Sequence, residues 1–482
     1  MTRSISRREF LGGAVLVSAG AALDACVPTG ASLAPGSPAD PSVDPSAQPT
    51  ADPTADLVLR NATVLTMDPA HPEAEAVAIS GDTITAVGTE AEALAAVAPN
   101  ARIVDVGGRV LLPGFNDAHC HRIGDRDIAG YESAEAAIES ALAGGWTSIS
   151  ELFVNQERLY ELQALDDAKQ LRLRVNCYLP VNYLDQKFGV WFDDYRPHQA
   201  FSPNLRIGGV KLFADEAWTK EMYMTEPHTD RPDYRGPIYW TPDQLTDLVR
   251  SLHDDGWQLA THTAGDAAHD LVLDAYEAAL AGADNADHRH RIEHVMAVRD
   301  DQVRRMADLK IMASFQLTWF TADEAQEVEA TVGRERLGWV GRWRDLLGAG
   351  VPAVASTDHP YDHEGSDNTA GWAMKALSVA VRRSVGAAVD AAEPWRADQT
   401  ISVEQGLELM TRAGAYATFE EDRKGTVSPG KLADLVVLGD DPRTVPADDL
   451  RDVDVLMTMV GGRTEYVAPE AEALGFPSPD RS

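Results

Sequence analysis

From Leu57 onward the chain alternates short apolar runs with polar residues, glycines and prolines. Leu57–Leu65, Ala76–Ile79, Thr83–Val87 and Ile103–Leu112 are rich in β-branched residues and read as strands of a small sheet. Residues 425–438, Val453–Val460 and Arg463–Val467 read the same way, so a small β-sandwich domain is expected from both chain ends. Between these segments lie eight strand-like runs, each followed by a helical pattern. They end near His119, Glu151, Val181, Asp215, His262, His294, Gln316 and Asp358. Eight such alternations over roughly 300 residues predict an α/β fold, a (β/α)8 TIM barrel with its active site at the carboxyl ends of the strands. The expected division is 56–114 for the first part of the β domain, 115–420 for the barrel, and 421–482 for the second part and tail.

The first 26 residues have a different pattern. Arg3, Arg7 and Arg8 precede an uncharged run from Leu11 to Leu23. As a helix that run reaches only about 20 Å, short of the roughly 30 Å of hydrocarbon in a bilayer, so a signal peptide is expected and not a membrane span. Ser6-Arg7-Arg8-Glu9-Phe10-Leu11 resembles a twin-arginine export signal, and Leu23-Asp24-Ala25-Cys26 resembles a lipoprotein cleavage site. The expected protein is therefore extracytoplasmic, anchored to the membrane through a lipid on Cys26; cleavage with free release is the other reading. Residues 27–55, rich in Pro, Asp, Ser, Ala and Thr, cannot bury apolar surface and read as a disordered tether.

Charge narrows the partners. With 42 Lys plus Arg against 76 Asp plus Glu, the net charge of −34 excludes nucleic acid. Three cysteines, Cys26, Cys120 and Cys177, cannot form the framework of 482 residues. A small molecule is the expected substrate, and a homodimer is an open expectation.

The polar residues at the strand ends carry the chemistry. In Asp117-Ala118-His119-Cys120-His121 the two histidines are two apart, so in a strand both face one side and can hold a metal through neutral imidazole. Lys211 ends the fourth run, His262 the fifth, His294 the sixth and Asp358 the eighth. Each alone has an ordinary explanation: a solvent-seeking lysine, a packed histidine, a helix-capping aspartate. Together, at strand ends one, four, five, six and eight, they point to a metal centre. Trp218, Asp266, Trp319 and His359, with Glu216 and Tyr361, follow strand ends where pocket walls are built, and are expected to contact substrate unless they only pack loops. Cys120 is expected to face away from its neighbouring histidines.

This ordered set, with residues 110–115 and the closing segment Pro429–Leu438, resembles the metal-dependent amidohydrolase superfamily over residues 56 to about 467. Residues 211–215, 262–267 and 291–294 are similar to its amidohydrolase 3 branch, which includes N-substituted formamide deformylases. The branch differs in two places. The interval from His121 to Lys211 is shorter here, and Glu216-Ala217-Trp218 replaces a Gly-Ser-rich stretch. An ammonium cannot ligate a metal, and deprotonating an ordinary lysine at pH 7 costs about 4 to 5 kcal/mol. The resemblance implies that Lys211 is carboxylated and bridges two metals, zinc ions by expectation, with His119, His121 and Asp358 on one and His262 and His294 on the other. It implies hydrolysis of a non-peptide amide-type carbon–nitrogen bond by metal-bound hydroxide, with Asp358 as the catalytic proton carrier. Two rivals stand beside it: a mononuclear deaminase using Asp266, against which Lys211 argues, and a non-catalytic periplasmic binding lipoprotein.

Overall fold

The structure, a computed structural model, describes residues 55–216, 219–282, 287–319, 325–361, 369, 371–383 and 396–479. The expected signal and tether, with Cys26, lie outside the described residues apart from Ala55, and so does Trp218.

Eight strands form the barrel, labelled in chain order: β1 Phe115–Cys120, β2 Trp146–Glu151, β3 Arg174–Pro180, β4 Leu205–Phe213, β5 Leu259–Thr263, β6 Arg291–His294, β7 Met312–Gln316 and β8 Ala353–Ser356. They pair in parallel, each with its neighbour in sequence. Almost every strand residue is buried, because helices cover the outside while side chains fill the inside. That is why the strands read as nearly continuous apolar runs. At the mouth, β1 and β8 are tied by Asp358 N–H to the His119 carbonyl and His121 N–H to the His359 carbonyl, both at 2.8 Å. The Asp117 carboxylate reinforces this seam, accepting from Thr357 N–H at 3.0 Å and its hydroxyl at 2.6 Å.

Helices Ala134–Ala143 and Gln156–Asp167 follow β1 and β2, capped by Ser133 and Asn155. Pro242–Asp254, Asp266–Leu280, Asp300–Leu309, Trp343–Gly348 and Ala373–Arg382 follow later strands. The expected helical pattern after β3 is not realised. Segment 181–204, all of it described, holds a two-stranded hairpin of Asn182–Tyr183 and Gln186–Lys187. Gly189, Pro197 and left-handed backbone at Leu184 and His198 break any helix there.

The small domain is two sheets. Ala55–Arg60, Ala76–Ser80, Thr83–Gly88 and Val97–Asp105 form one; Thr63–Leu65, Glu73–Ala74 and Val110–Pro113 join Leu435–Leu438, Val455–Val460 and Arg463–Val467 in the other. The two chain ends meet where Val110–Pro113 pairs antiparallel with Leu435–Leu438. Leu57, Val64, Ile79, Leu111, Val437 and Met457 share the core between the sheets. Two runs expected to be continuous are each split. Leu57–Leu65 breaks at Asn61, φ +53°, and Ile103–Leu112 at Gly107-Gly108, φ +71° and +77°. These left-handed residues send the two halves into different sheets.

Buried ion pairs fasten the base. Arg174 on β3 grips Asp434 with Nε–Oδ2 at 2.7 Å and Nη2–Oδ1 at 2.8 Å. Glu420 pairs with Lys424 at 2.9 Å and with Arg206 on β4 at 3.4 Å.

Candidate metal centre

The carboxyl ends of the strands bring His119, His121, His294 and Asp358 together. His119 Nε2 lies 3.3 Å from His121 Nε2 and 3.1 Å from Asp358 Oδ1. His121 Nε2 is 3.3 Å from the same carboxylate oxygen, and His294 Nδ1 is 3.9 Å from Asp358 Oδ2. His119, His294 and Asp358 each offer an atom within 4.8 Å of the others. One extra residue in β1 opposite β2, between Asp117 and Cys120, bulges the strand beside the first histidine. His294 and Asp358 have φ of +74° and +60°, a left-handed backbone that costs on the order of 1 kcal/mol in a side-chain-bearing residue. That strain turns each residue away from the path of its strand.

The tautomers make this a cation site. His119 Nδ1 is 2.8 Å from Glu293 Oε2, so Nδ1–H donates to the carboxylate and the Nε2 lone pair faces Asp358. Acceptors at about 3 Å from one another repel unless a cation or proton lies among them. His121 Nδ1 and His294 Nδ1 are buried without a hydrogen-bond partner. Burial and neighbouring His262 push His294 well below its ordinary pKa, leaving a neutral ligand. Burial disfavours ionised Asp358, but positive charge among His119, His121 and His294, carried by a proton or by a metal in its place, outweighs it and holds the carboxyl well below the usual range. The donor set fits a divalent metal.

Lys211 and His262 lie alongside. The fully buried Nζ of Lys211 has no hydrogen-bond partner and sits 4.7 Å from the centre of the Phe213 ring. Burial brings its pKa down to about 8, against the pull of Glu293 and Asp358. This favours the neutral amine that carboxylation requires. The His262 ring is 4.3 Å from that of His294, with Nε2 donating to the Glu216 carbonyl at 3.2 Å. Burial, then Lys211, lowers its pKa to about 3.

Of the expected pocket residues, buried Trp319 stacks on His294, with ring centres 5.2 Å apart and planes 14° from parallel. Asp266 is held otherwise: Oδ1 accepts from Thr225 N–H at 2.9 Å, and Oδ2 from the Thr225 hydroxyl at 2.6 Å and Arg299 at 2.7 Å. His359 Nε2 is 3.1 Å from the Tyr131 hydroxyl. Tyr361 packs edge-on against His121 and donates to Asp125 at 3.1 Å, while Glu216 accepts from the Tyr239 hydroxyl at 2.6 Å. The Cys120 thiol lies against Glu151 at 3.9 Å, and burial pushes its pKa well up.

Glu293 and Arg291 are the residues whose roles sequence reasoning missed. Arg291 Nε and Nη2 clamp Glu293 at 2.7 and 2.8 Å, and Nη2 also donates to the Ala118 carbonyl at 2.8 Å. Burial opposes the ionised carboxylate, yet Arg291 holds it well below the usual range. An Arg-x-Glu pair in an apolar strand was the available signal: two charges on one face there survive only as a pair.

A family model described as Amidohydrolase family matches residues 126–466, well over half of the chain. The chain belongs to that family of metal-dependent hydrolases, whose matched span begins just after His119 and His121. It is 31% identical over 264 residues to N-substituted formamide deformylase of Arthrobacter pascens, covering 54% of this chain and 46% of that protein. With the protein LONG AFTER FAR-RED 3 of Arabidopsis thaliana it shares 28% over 307 residues, 62% of this chain and 49% of the other. The chain spans about half the length of the curated relatives it matches. A solved structure of an uncharacterized metal-dependent hydrolase from Pyrococcus furiosus superposes with a TM-score of 0.66 at 22% identity, covering 80% of this chain and 100% of that one, and shows the same fold.

Proposed function

We propose that the chain hydrolyses a carbon–nitrogen bond of amide type, other than a peptide bond, in a small molecule, using two divalent metals, zinc by preference. His119, His121 and Asp358 would hold one, His262 and His294 the other, with carboxylated Lys211 between them. The observation that carries this reading is the meeting of His119, His121 and Asp358 acceptor atoms at 3.1 to 3.3 Å. The deformylase relative, named for acting on an N-substituted formamide, supports the bond type.

When bound, the metals lower the pKa of water to about 7 and polarise a carbonyl oxygen. The chain's own residues do the rest. Neutral Lys211 forms an N–C bond to carbon dioxide and releases a proton, which leaves an anionic carbamate. Ionised Asp358 accepts the proton of the attacking water and returns it to the amine nitrogen as the C–N bond breaks. Glu293, anchored by Arg291, holds His119 in its tautomer. Trp319 and Phe213 cover His294 and His262 and exclude water. Trp319 contacts substrate, as Trp218 does in this proposal; the partners of Asp266 and His359 favour loop fixing.

The same proposal includes export by the twin-arginine route, a lipid on Cys26 and a tether of residues 27–55. That route carries folded proteins, so metal loading would precede it. Palmitate labelling lost in Cys26→Ala supports the anchor, and equal labelling removes it.

The decisive experiment is a panel of N-formyl and N-acyl amides, cyclic amides, esters and amino-substituted rings on metal-loaded protein, with metal content measured alongside. Amide turnover with two metals per chain supports the reading. One metal with ammonia released from an amino-substituted ring makes the chain a deaminase, and no turnover across the panel makes it a binder.

A further inference from the structure

A wall of aromatic rings begins at the metal centre and runs outward over three strand ends. Phe213, ending β4, lies almost flat on His262 at 5.3 Å and 21°. Tyr183, on the hairpin after β3, meets Phe213 edge-on at 5.5 Å, and Phe153, just after β2, meets Tyr183 at 5.5 Å and Phe213 at 6.2 Å. Phe188 closes the far side, 6.1 Å from Phe153. Phe213 is buried, whereas Tyr183 is 48% exposed, so the wall grades from the buried centre to solvent.

The wall is fixed in place. Asn182 donates to the Phe213 carbonyl at 2.9 Å and accepts from Phe213 N–H at 3.0 Å. The other strand of the hairpin is tied by Lys187, whose Nζ donates to the Tyr239 carbonyl at 2.6 Å and lies 3.2 Å from the centre of the Trp240 ring. A hairpin fastened at both strands presents its rings in one arrangement, which lowers the ordering cost of binding against them. Charges of both signs stand beside the wall: Arg158 lies 5.7 Å from the centre of the Phe153 ring and pairs with Asp125, and Lys211 Nζ lies 4.7 Å from the centre of the Phe213 ring.

We propose that Phe153, Tyr183, Phe188 and Phe213 form the subsite for the substrate's side group and that it takes an uncharged hydrocarbon group, above all an aryl ring. The proposal rests on the hydrolase reading of the adjoining centre. Ring faces and edges that run from the buried centre to solvent suit an aryl group in offset or edge-to-face contact.

Ligand-observed NMR titration of the metal-loaded full chain tests this with benzamide and acetamide. Benzamide is expected to bind at least about tenfold tighter than acetamide. Phe153→Ala and Tyr183→Ala each weaken benzamide by about three- to tenfold, with unchanged metal content. Tyr183→Phe retains the ring and the binding. Equal binding of benzamide and acetamide, or benzamide binding unmoved in both alanine variants, overturns the subsite. Turnover separates the two readings. Amides hydrolysed without aryl preference remove the subsite and leave the hydrolase, while selective aryl binding with no amide hydrolysed does the reverse.

Discussion

Asp358 donates its backbone N–H to the carbonyl of His119 at 2.8 Å, and its carboxylate approaches Nε2 of the same histidine at 3.1 Å. One pair of residues thus joins the first and last barrel strands by main chain and shapes the candidate metal centre by side chain. The two roles can be separated by substitution, because only the side chain changes.

Asp358→Asn is therefore expected to keep the seam, the fold and most of the metal. Turnover should fall by about 100- to 10,000-fold, the range for loss of a positioned proton carrier. Steady-state kinetics with metal analysis checks this, and a near-native rate would falsify the catalytic role.

Lys211→Ala should bring metal content from two ions per chain to one, with the circular dichroism spectrum unchanged. The amine is buried and has no hydrogen-bond partner, so its loss leaves no orphaned group behind. Two ions retained in the variant refutes a bridging lysine.

Glu293→Gln keeps the shape of the residue but weakens the grip on His119. Partners of metal-bound histidines are typically worth about 10- to 100-fold in metal affinity, and competition with a chelator should read a change of that size. Arg291→Met differs: it strands the buried Glu293 charge, at about 3–5 kcal/mol of stability, which thermal unfolding of the metal-free protein would register.

Acid stability should depend on Glu420. Burial opposes its ionisation, but Lys424 and Arg206 outweigh that and bring its pKa down from 4.5 to about 2. A depressed carboxyl pKa stabilises the fold fully above about pH 4.5, and the contribution, on the order of 3 kcal/mol, is lost as pH falls toward 2. Glu420→Gln should be less stable at pH 7 and lose less between pH 5 and 2.5. Urea midpoints across that range measure both; parallel profiles for the two proteins would contradict it.

The barrel was legible because its strands are buried on both faces and their ends are marked by polar residues, as at His262 and Gln316. His119, His121, His294 and Asp358 stood out for the same reason: chemistry-bearing side chains directly after apolar runs. What stayed hidden depends on backbone angle or on partners distant in sequence. The split at Asn61 is a single left-handed residue inside an apolar run. The hairpin after β3 stands where a helix is expected because Gly189, Pro197 and the left-handed Leu184 and His198 interrupt the pattern, and Asn182 and Lys187 then fix it by contacts distant in sequence. Asp266 resembled a pocket acid by position, but Thr225 and Arg299, which take up its oxygens, come from loops that no spacing rule connects to it. Glu293 lay in plain view within a motif, yet its meaning needed His119 across the barrel.

The pairing of Val110–Pro113 with Leu435–Leu438 has a consequence for how the molecule is made. A strand emerging early in synthesis must wait for one about 320 residues later before its hydrogen bonds are filled, and the barrel seam waits similarly for β8. Contacts of such long sequence separation form late and leave an open sheet edge exposed meanwhile. Folding of this chain is therefore expected to finish only once Leu435–Leu438 has been made, with the metal centre waiting in the same way for Asp358 beyond β8.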